Sequence, residues 1–296
     1  MTKFQLSCES TVDMPFSYVS GRDIAVAFYT YTIDGEVYVD DMCRDPEALP
    51  NFHKMLREGK MPQTSQINHY TYLEYFEELL KKGDVLHLAF GRGMSASVVN
   101  AINAANELRE QYPDRKIIVV DTLASASGYG MLVDYAADMR DNGSSMEEIE
   151  KWVLDNRMNV HHQIYATDLF HLKRGGRVSG PAAMIGTVLG ICPIMRLNDK
   201  GSIDAYGKVR SKKKAMAETV KAMEEHVQNG YDYDGKCFIC HADCIDDANT
   251  VKAMIEEKFK NVDVKIFDIG TIIASHTGQG TLALFFMGDD RSQFYK

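Results

Sequence analysis

A chain of 296 residues can bury a sizeable core, and 45% hydrophobic with 25% charged residues is the balance of a folded globular protein rather than a disordered one. The formal net charge is -9 and no run of five or six Lys and Arg occurs, which argues against an electrostatic footprint for nucleic acid or an anionic lipid surface. Met1 to Thr11 lack the apolar core of a secretory signal, and the weakly polar stretch Gly180 to Met195 carries Pro181 and Pro193 and is shorter than the roughly 20 residues of a membrane span. A cytoplasmic protein with no integral membrane segment and six free thiols is expected.

Ile24 to Ile33 is rich in β-branched and aromatic residues and leads through Asp34-Gly35 into Glu36 to Val39, a strong hairpin signal. Val85 to Phe90 precedes a helical period through Asn106, and Ile117 to Val120 precedes one through Met139. Short apolar strands followed by helices predict a parallel sheet. Ser145 and Glu148 form a capping box that opens a helix carrying Trp152 and reaching Met158. Beyond it the pattern gives a strand over Gln163 to Thr167, a basic glycine turn around Arg174 and a Gly-rich apolar stretch to Met195. A helix from Ser211 to Asn229 follows, then strands over Lys236 to His241 and Val264 to Ile269 around a helix from Asp246 to Lys258, and a closing strand Leu282 to Met287. The reading is two α/β domains, 1–160 and 161–296.

Cys237-Phe-Ile-Cys-His241, with Cys244 nearby, matches a haem-attachment or metal pattern, but the remaining ligands are missing and Cys237 and Cys240 fall on opposite faces of an extended segment, so no metal is expected. Gly93-Met-Ser95-Ala-Ser97 lies after a strand and before a helix, where a hydrolase nucleophile would stand, but Ser97 replaces the closing glycine. Ser95, Asp121 and His276 follow the chain order of a hydrolase triad, and a Ser-dependent acyl hydrolase is one alternative. The same turn also reads as a helix N-terminus able to receive an anion, or as a plain cap. Neither phosphate-binding glycine motif occurs, so any nucleotide must come with a partner. His276-Thr-Gly-Gln-Gly-Thr281 is expected in a loop after a strand, at the sheet edge where ligands bind.

Five stretches in order give a resemblance to the DegV family of bacterial fatty-acid-binding proteins over essentially the whole chain. They are Glu9-Ser-Thr-Val-Asp-Met-Pro15, Thr64-Ser-Gln66, Met94-Ser-Ala-Ser97, Leu172-Lys-Arg-Gly-Gly-Arg-Val-Ser179 and His276-Thr-Gly-Gln-Gly-Thr281. The resemblance implies two α/β domains with a lipid-binding tunnel between them, holding one long-chain fatty acid such as palmitate. It also implies a non-catalytic carrier with no cofactor, whose partner is the ATP-binding catalytic subunit of fatty acid kinase. A lipid-binding regulatory sensor with no kinase partner is the other alternative. Carried over by motif, Thr64, Ser95, His276 and Thr277 stand at the carboxylate, Ser97 beside them, and Arg174 near the mouth where the kinase would dock.

A carboxylate taken out of water needs donors, which these side chains provide, and burying about fourteen methylenes at ~0.8 kcal/mol each gives ~11 kcal/mol before chain ordering is subtracted. The apolar residues between Ala182 and Met195 are candidates for the tunnel wall. This chain departs from the family pattern around the head group. Gly91-Arg92 stands where two serines are usual, Ala96 replaces a glycine, Ile67-Asn68 replace Pro-Ser, and Gln279 replaces a proline. Arg92 either pairs the carboxylate or points to solvent.

Overall fold

The computed structural model describes residues 4–179 and 190–295. Its first lobe is built on β1 (Gln5–Glu9), β2 (Ile24–Ala27), β6 (Val85–Ala89) and β7 (Ile117–Asp121), all parallel, in the spatial order β2-β1-β6-β7. β1 and β6 have every residue buried or nearly so, as a sheet covered on both faces requires. α1 (Phe16–Gly21), α3 (His69–Leu80), α4 (Ser97–Gln111), α5 (Ala126–Asp141) and α6 (Met146–Asn156) surround it. The predicted capping box is present, with Ser145 Oγ accepting from Glu148 N–H and Glu148 accepting from Ser145 N–H.

The β-branched and aromatic run Ile24 to Ile33 breaks at Phe28-Tyr29. Its first half joins the parallel sheet as β2 and its second half, β3 (Thr30–Ile33), joins an antiparallel sheet with β4 (Glu36–Val39) and β5 (Gln63–Ser65). The expected turn is there: Asp34 and Gly35 both take positive φ, 52° and 89°. In that sheet Tyr31 is in register with Thr64. α2 (Ala48–Arg57) lies between β4 and β5 in the chain.

The second sheet has seven strands in the order β13-β12-β14-β8-β10-β11-β9: β8 (Val160–Tyr165), β9 (Val178–Ser179), β10 (Ile191–Leu197), β11 (Ile203–Arg210), β12 (Lys236–His241), β13 (Asp263–Asp268) and β14 (Leu282–Met287). Its helices are α7 (Leu169–Gly175), α8 (Lys212–His226), α9 (Ile245–Lys258) and α10 (Thr271–Thr277). Two sequence expectations are corrected here. Arg174 is in the last turn of a helix, not in a turn of its own, because Asp168 caps α7 at one end and Gly176 closes it in the left-handed region at φ 66°. His276 and Thr277 are the end of α10, with Gly270 before it and Gly278 after it, so only 278–281 form the loop. Among the described residues, no helix is long and apolar enough to cross a membrane, and all six cysteines are free.

Backbone sets the distance between the lobes. A Cβ on Gly93, in the loop after β6, would fall 2.3 Å from the carbonyl carbon of Gly201, in the β10–β11 turn. A Cβ on Gly201 would in turn fall 3.2 Å from the backbone of Leu123, beyond the end of β7. Arg291, only 1% exposed, donates to the carbonyls of Leu123 (2.6 Å), Val160 (2.7 Å), Arg157 (2.9 Å) and Asn198 (3.4 Å), so one guanidinium ties the first lobe, the connection and the second lobe. Arg291→Met removes the donor from the Leu123, Arg157 and Asn198 carbonyls, while Val160 O keeps His162 Nδ1 at 3.0 Å, at roughly 1–3 kcal/mol for each group that water cannot reach. Urea denaturation is expected to show a loss of at least ~3 kcal/mol, and a variant as stable as the parent refutes the role given to Arg291.

Candidate functional site

With β2-β1-β6-β7 as the spatial order, the strand connections diverge between β1 and β6, and in an open parallel sheet the crevice at the carboxyl ends beside such a point is where ligands bind. A cavity of about 370 Å³ lies there, within the range of roughly 300–1,000 Å³ typical of small-molecule sites. The first lobe supplies Tyr29 after β2, Phe90, Met94, Ser95 and Ala96 after β6, and Ser125 after β7. β5 and the residue following it supply Thr64 and Gln66. The second lobe supplies Ile203 of β11, Ile272, Ile273, His276 and Thr277 of α10, and Arg177.

Thr64 and His276, 212 residues apart, meet with Thr64 Oγ1 2.8 Å from His276 Nε2. The other ring nitrogen, Nδ1, is 3.1 Å from the carbonyl oxygen of Gly175. A neutral ring with its proton on Nδ1 donates to that carbonyl and accepts from Thr64. Gly175 O also accepts from Arg177 Nη1 at 2.9 Å, bringing the guanidinium within 3.3 Å of the ring. Burial, and then the Arg177 charge, push the His276 imidazole down to about 4. The contact depends on a missing side chain: a Cβ on Gly175 would fall 2.1 Å from the carbonyl oxygen of His276.

Ser95 Oγ accepts from Ser97 N–H and lies beside Tyr29 OH, both at 3.2 Å. Ser97 is fully buried beneath it, 3.0 Å from Tyr72 OH, and does not line the cavity. Thr277 lines it, but its hydroxyl donates back to Ile273 O at 3.2 Å. Arg92 pairs with Asp121 while its side chain stays 59% exposed, outside the cavity lining. Arg174 is exposed, its guanidinium 5.5 Å from the ring centre of Phe170, itself 58% exposed. Gln279 turns away from the cavity and donates to Asp243 Oδ2 (2.7 Å) and His53 O (3.3 Å), joining the glycine loop to α2. Of the apolar stretch Ala182 to Met195, residues 182–189 lie outside the described residues. Ile191 to Met195 belong to β10 and do not line this cavity.

The sequence reading missed Tyr29, Arg177, Ile203, Ile272 and Ile273. Arg177 stands in the same basic glycine string as Arg174 and carries as strong a signal. For the others no local pattern distinguishes lining from core. The hydrolase triad does not assemble, because His276 is engaged by Thr64 and Gly175 and Asp121 by Arg92. Burial pushes the Cys237 and Cys240 thiols up, against the thiolate form a metal needs. No group of three or more His, Cys, Asp or Glu able to hold a metal occurs among the described residues. The cavity lining combines hydroxyls, a histidine and a guanidinium with Phe90, Met94 and three isoleucines, a mixture of hydrogen-bond donors and apolar surface.

His276 also sets a pH dependence. The unfolded chain takes up a proton near 6.5 and the folded protein only near 4, so its contribution to stability is complete above 6.5 and is lost as pH falls toward 4. Asp40, which burial pushes up to about 6, acts in the opposite sense, so the parent must be compared with His276→Gln. Between pH 6.5 and 5 the parent is expected to lose stability more steeply than the variant, by up to about 1.4 kcal/mol per pH unit. Equal slopes in urea titrations at several pH values contradict a neutral, buried His276.

The sequence model of the DegV family, described as an uncharacterised protein family, matches residues 3–289. A DegV domain-containing protein of Clostridium perfringens is 41% identical over 293 residues, 98% of this chain and 99% of its own. Among solved structures, a DegV family protein of Thermus thermophilus, described by its fatty acid binding, is 27% identical with a TM-score of 0.84, covering 97% of this chain and 100% of that one. The fatty acid kinase B3 protein of Streptococcus pneumoniae, solved with linoleic acid, is 19% identical with a TM-score of 0.82 over 98% of this chain and 100% of that one, and shares the fold. By sequence over nearly its whole length, the chain belongs to the DegV family.

Proposed function

We propose that this protein binds one long-chain fatty acid, with its carboxylate at Thr64, Ser95 and His276 and its acyl chain between the lobes. In this reading the lobes are the units 1–160 and 161–296, and the protein works in the cytoplasm, presenting the lipid to a separate ATP-dependent fatty acid kinase subunit without performing covalent chemistry itself. The observation that carries it is that Thr64, Ser95 and His276, from three distant segments, line one cavity together with Phe90, Met94 and three isoleucines, Thr64 and His276 in direct contact. The fatty acid binding described for the Thermus thermophilus relative supports the ligand class. Arg177, in the cavity wall, adds the positive charge that a desolvated carboxylate needs. The exposed Phe170 and Arg174 of α7 present an aromatic and a cation to a partner, and Arg174 is assigned to kinase docking.

Native mass spectrometry of protein purified from cells, followed by denaturation and identification of the released molecule, is expected to find one fatty acid per chain. A protein that is empty and also fails to take up added palmitate contradicts the reading. Ser95→Ala should weaken binding by ~1.5–3 kcal/mol, the size of a hydrogen bond to a charged group. Occupancy should also move His276, because a carboxylate beside its ring favours the imidazolium. In nitrogen NMR titrations its pKa is expected to rise from about 4 on addition of palmitate, and an unmoved titration places the carboxylate elsewhere. Arg174→Ala is expected to keep its lipid and support little acyl phosphate formation when the kinase subunit and ATP are added. Loss of lipid binding instead puts Arg174 in the pocket.

A further inference from the structure

Ser95 has one proton and two lone pairs. Its oxygen lies 3.2 Å from Tyr29 OH and 3.2 Å from Ser97 N–H. An amide can only donate, so one lone pair is taken by Ser97 in either case. The remaining question is which way the Tyr29 contact runs.

Glu9 bears on the answer from below. Its carboxylate, at zero exposure, accepts from Tyr72 OH, so the Tyr72 proton is committed and the Ser97 hydroxyl, 3.0 Å away, donates to Tyr72. The protons of this layer therefore run toward Glu9. Above it, Tyr29 is held neutral by burial and by the charge of Glu9, which keeps it a donor. With an anion in the cavity, Ser95 can serve it only with its own proton, and its second lone pair is then satisfied by Tyr29.

We infer that Tyr29 is a positioning residue of the head-group site, fixing the Ser95 hydroxyl so that its single proton is given to the ligand carboxylate. This rests on the fatty-acid-binding reading and adds to it a residue that does not itself need to touch the ligand. Tyr29 reaches this place because the chain leaves the parallel sheet after β2 and enters the hairpin sheet at β3, setting the junction residue at the cavity wall. Its ring packs edge-on against Phe90 at 6.3 Å, a contact that phenylalanine can keep.

The test is a double-mutant cycle of Tyr29→Phe and Ser95→Ala in the full chain, with the affinity for palmitate and the carboxyl carbon shift of bound [1-¹³C]palmitate as readouts. Tyr29→Phe is expected to weaken binding about 3- to 10-fold with Ser95 present and less than about 2-fold when Ser95 is already alanine. It should also move the carboxyl resonance in the first background and not in the second. Equal losses in both backgrounds, or no loss in either, overturn the inference, since a merely structural role of Tyr29 is indifferent to Ser95. If Tyr29→Phe does not fold, 3-fluorotyrosine placed at position 29 strengthens the donor. Tighter binding that disappears in Ser95→Ala then supports the inference, and an unchanged affinity overturns it. A parent that binds no palmitate removes the fatty-acid reading and the inference with it, whereas a parent that binds while the cycle is additive removes the inference alone.

Discussion

Glu9 closes the first strand of the parallel sheet with its carboxylate out of water, and a charge in that position holds only if donors surround it. They come from separate parts of the first lobe: the hydroxyl of Tyr72 on α3 and the backbone N–H of Phe90 (2.5 Å) at the end of β6. The Glu9 N–H is satisfied in turn by Tyr129 OH of α5 at 2.9 Å. Strand ends and helices are thereby held to one point at the carboxyl edge of the sheet. The start of α4 at Ser97 is laid on this layer through Tyr72, so the cavity wall at Ser95 is held by a buried charge that does not itself line the cavity.

The second lobe is brought to that edge by close backbone approach as well as by side-chain contacts such as Tyr18 against Phe267. Gly93 against Gly201 and Gly175 against His276 are contacts that a methyl group would force apart. The second of these brings Gly175 O to Nδ1 of His276, beside Arg177, while Nε2 faces Thr64. Arg291 completes the junction with hydrogen bonds to carbonyls on both sides of it. In this way the basic glycine string sets the surroundings of a histidine 101 residues away.

Of the departures from the family pattern, Arg92 and Gln279 lie outside the cavity lining, whereas Ala96 is part of it. Arg92 is neutralised by Asp121, whose Oδ1 also accepts from the backbone N–H groups of Arg92 (3.2 Å) and Leu123 (3.1 Å) and so braces the ends of β6 and β7. Gln279 takes up a structural task, joining Asp243 and the α2 backbone, with Arg57 on the same aspartate. Neither lines the cavity that holds Thr64, Ser95 and His276.

Much of the architecture was legible in the residues. The alternation of apolar runs with helical periods gave the parallel sheet, Asp34-Gly35 gave the hairpin, and Ser145 with Glu148 gave the start of α6, because each is a local device whose geometry is set within a few residues. The motifs also pointed to Thr64, Ser95 and His276. Sequence could not show that the run after Ile24 divides between two sheets, since β-branched residues suit either. It could not separate Arg177 in the cavity wall from Arg174 in solvent, nor Ile203 and Ile272 from ordinary core, because lining and core have the same composition. Hydrogen-bond direction at Ser95 and the tautomer of His276 depend on Tyr29, Glu9 and Gly175, which are distant in the chain. Local propensity and periodicity thus determined the elements and the donor types. Which donors face one another was decided only by tertiary structure, where the lobes close and buried polar groups must find their partners within the protein.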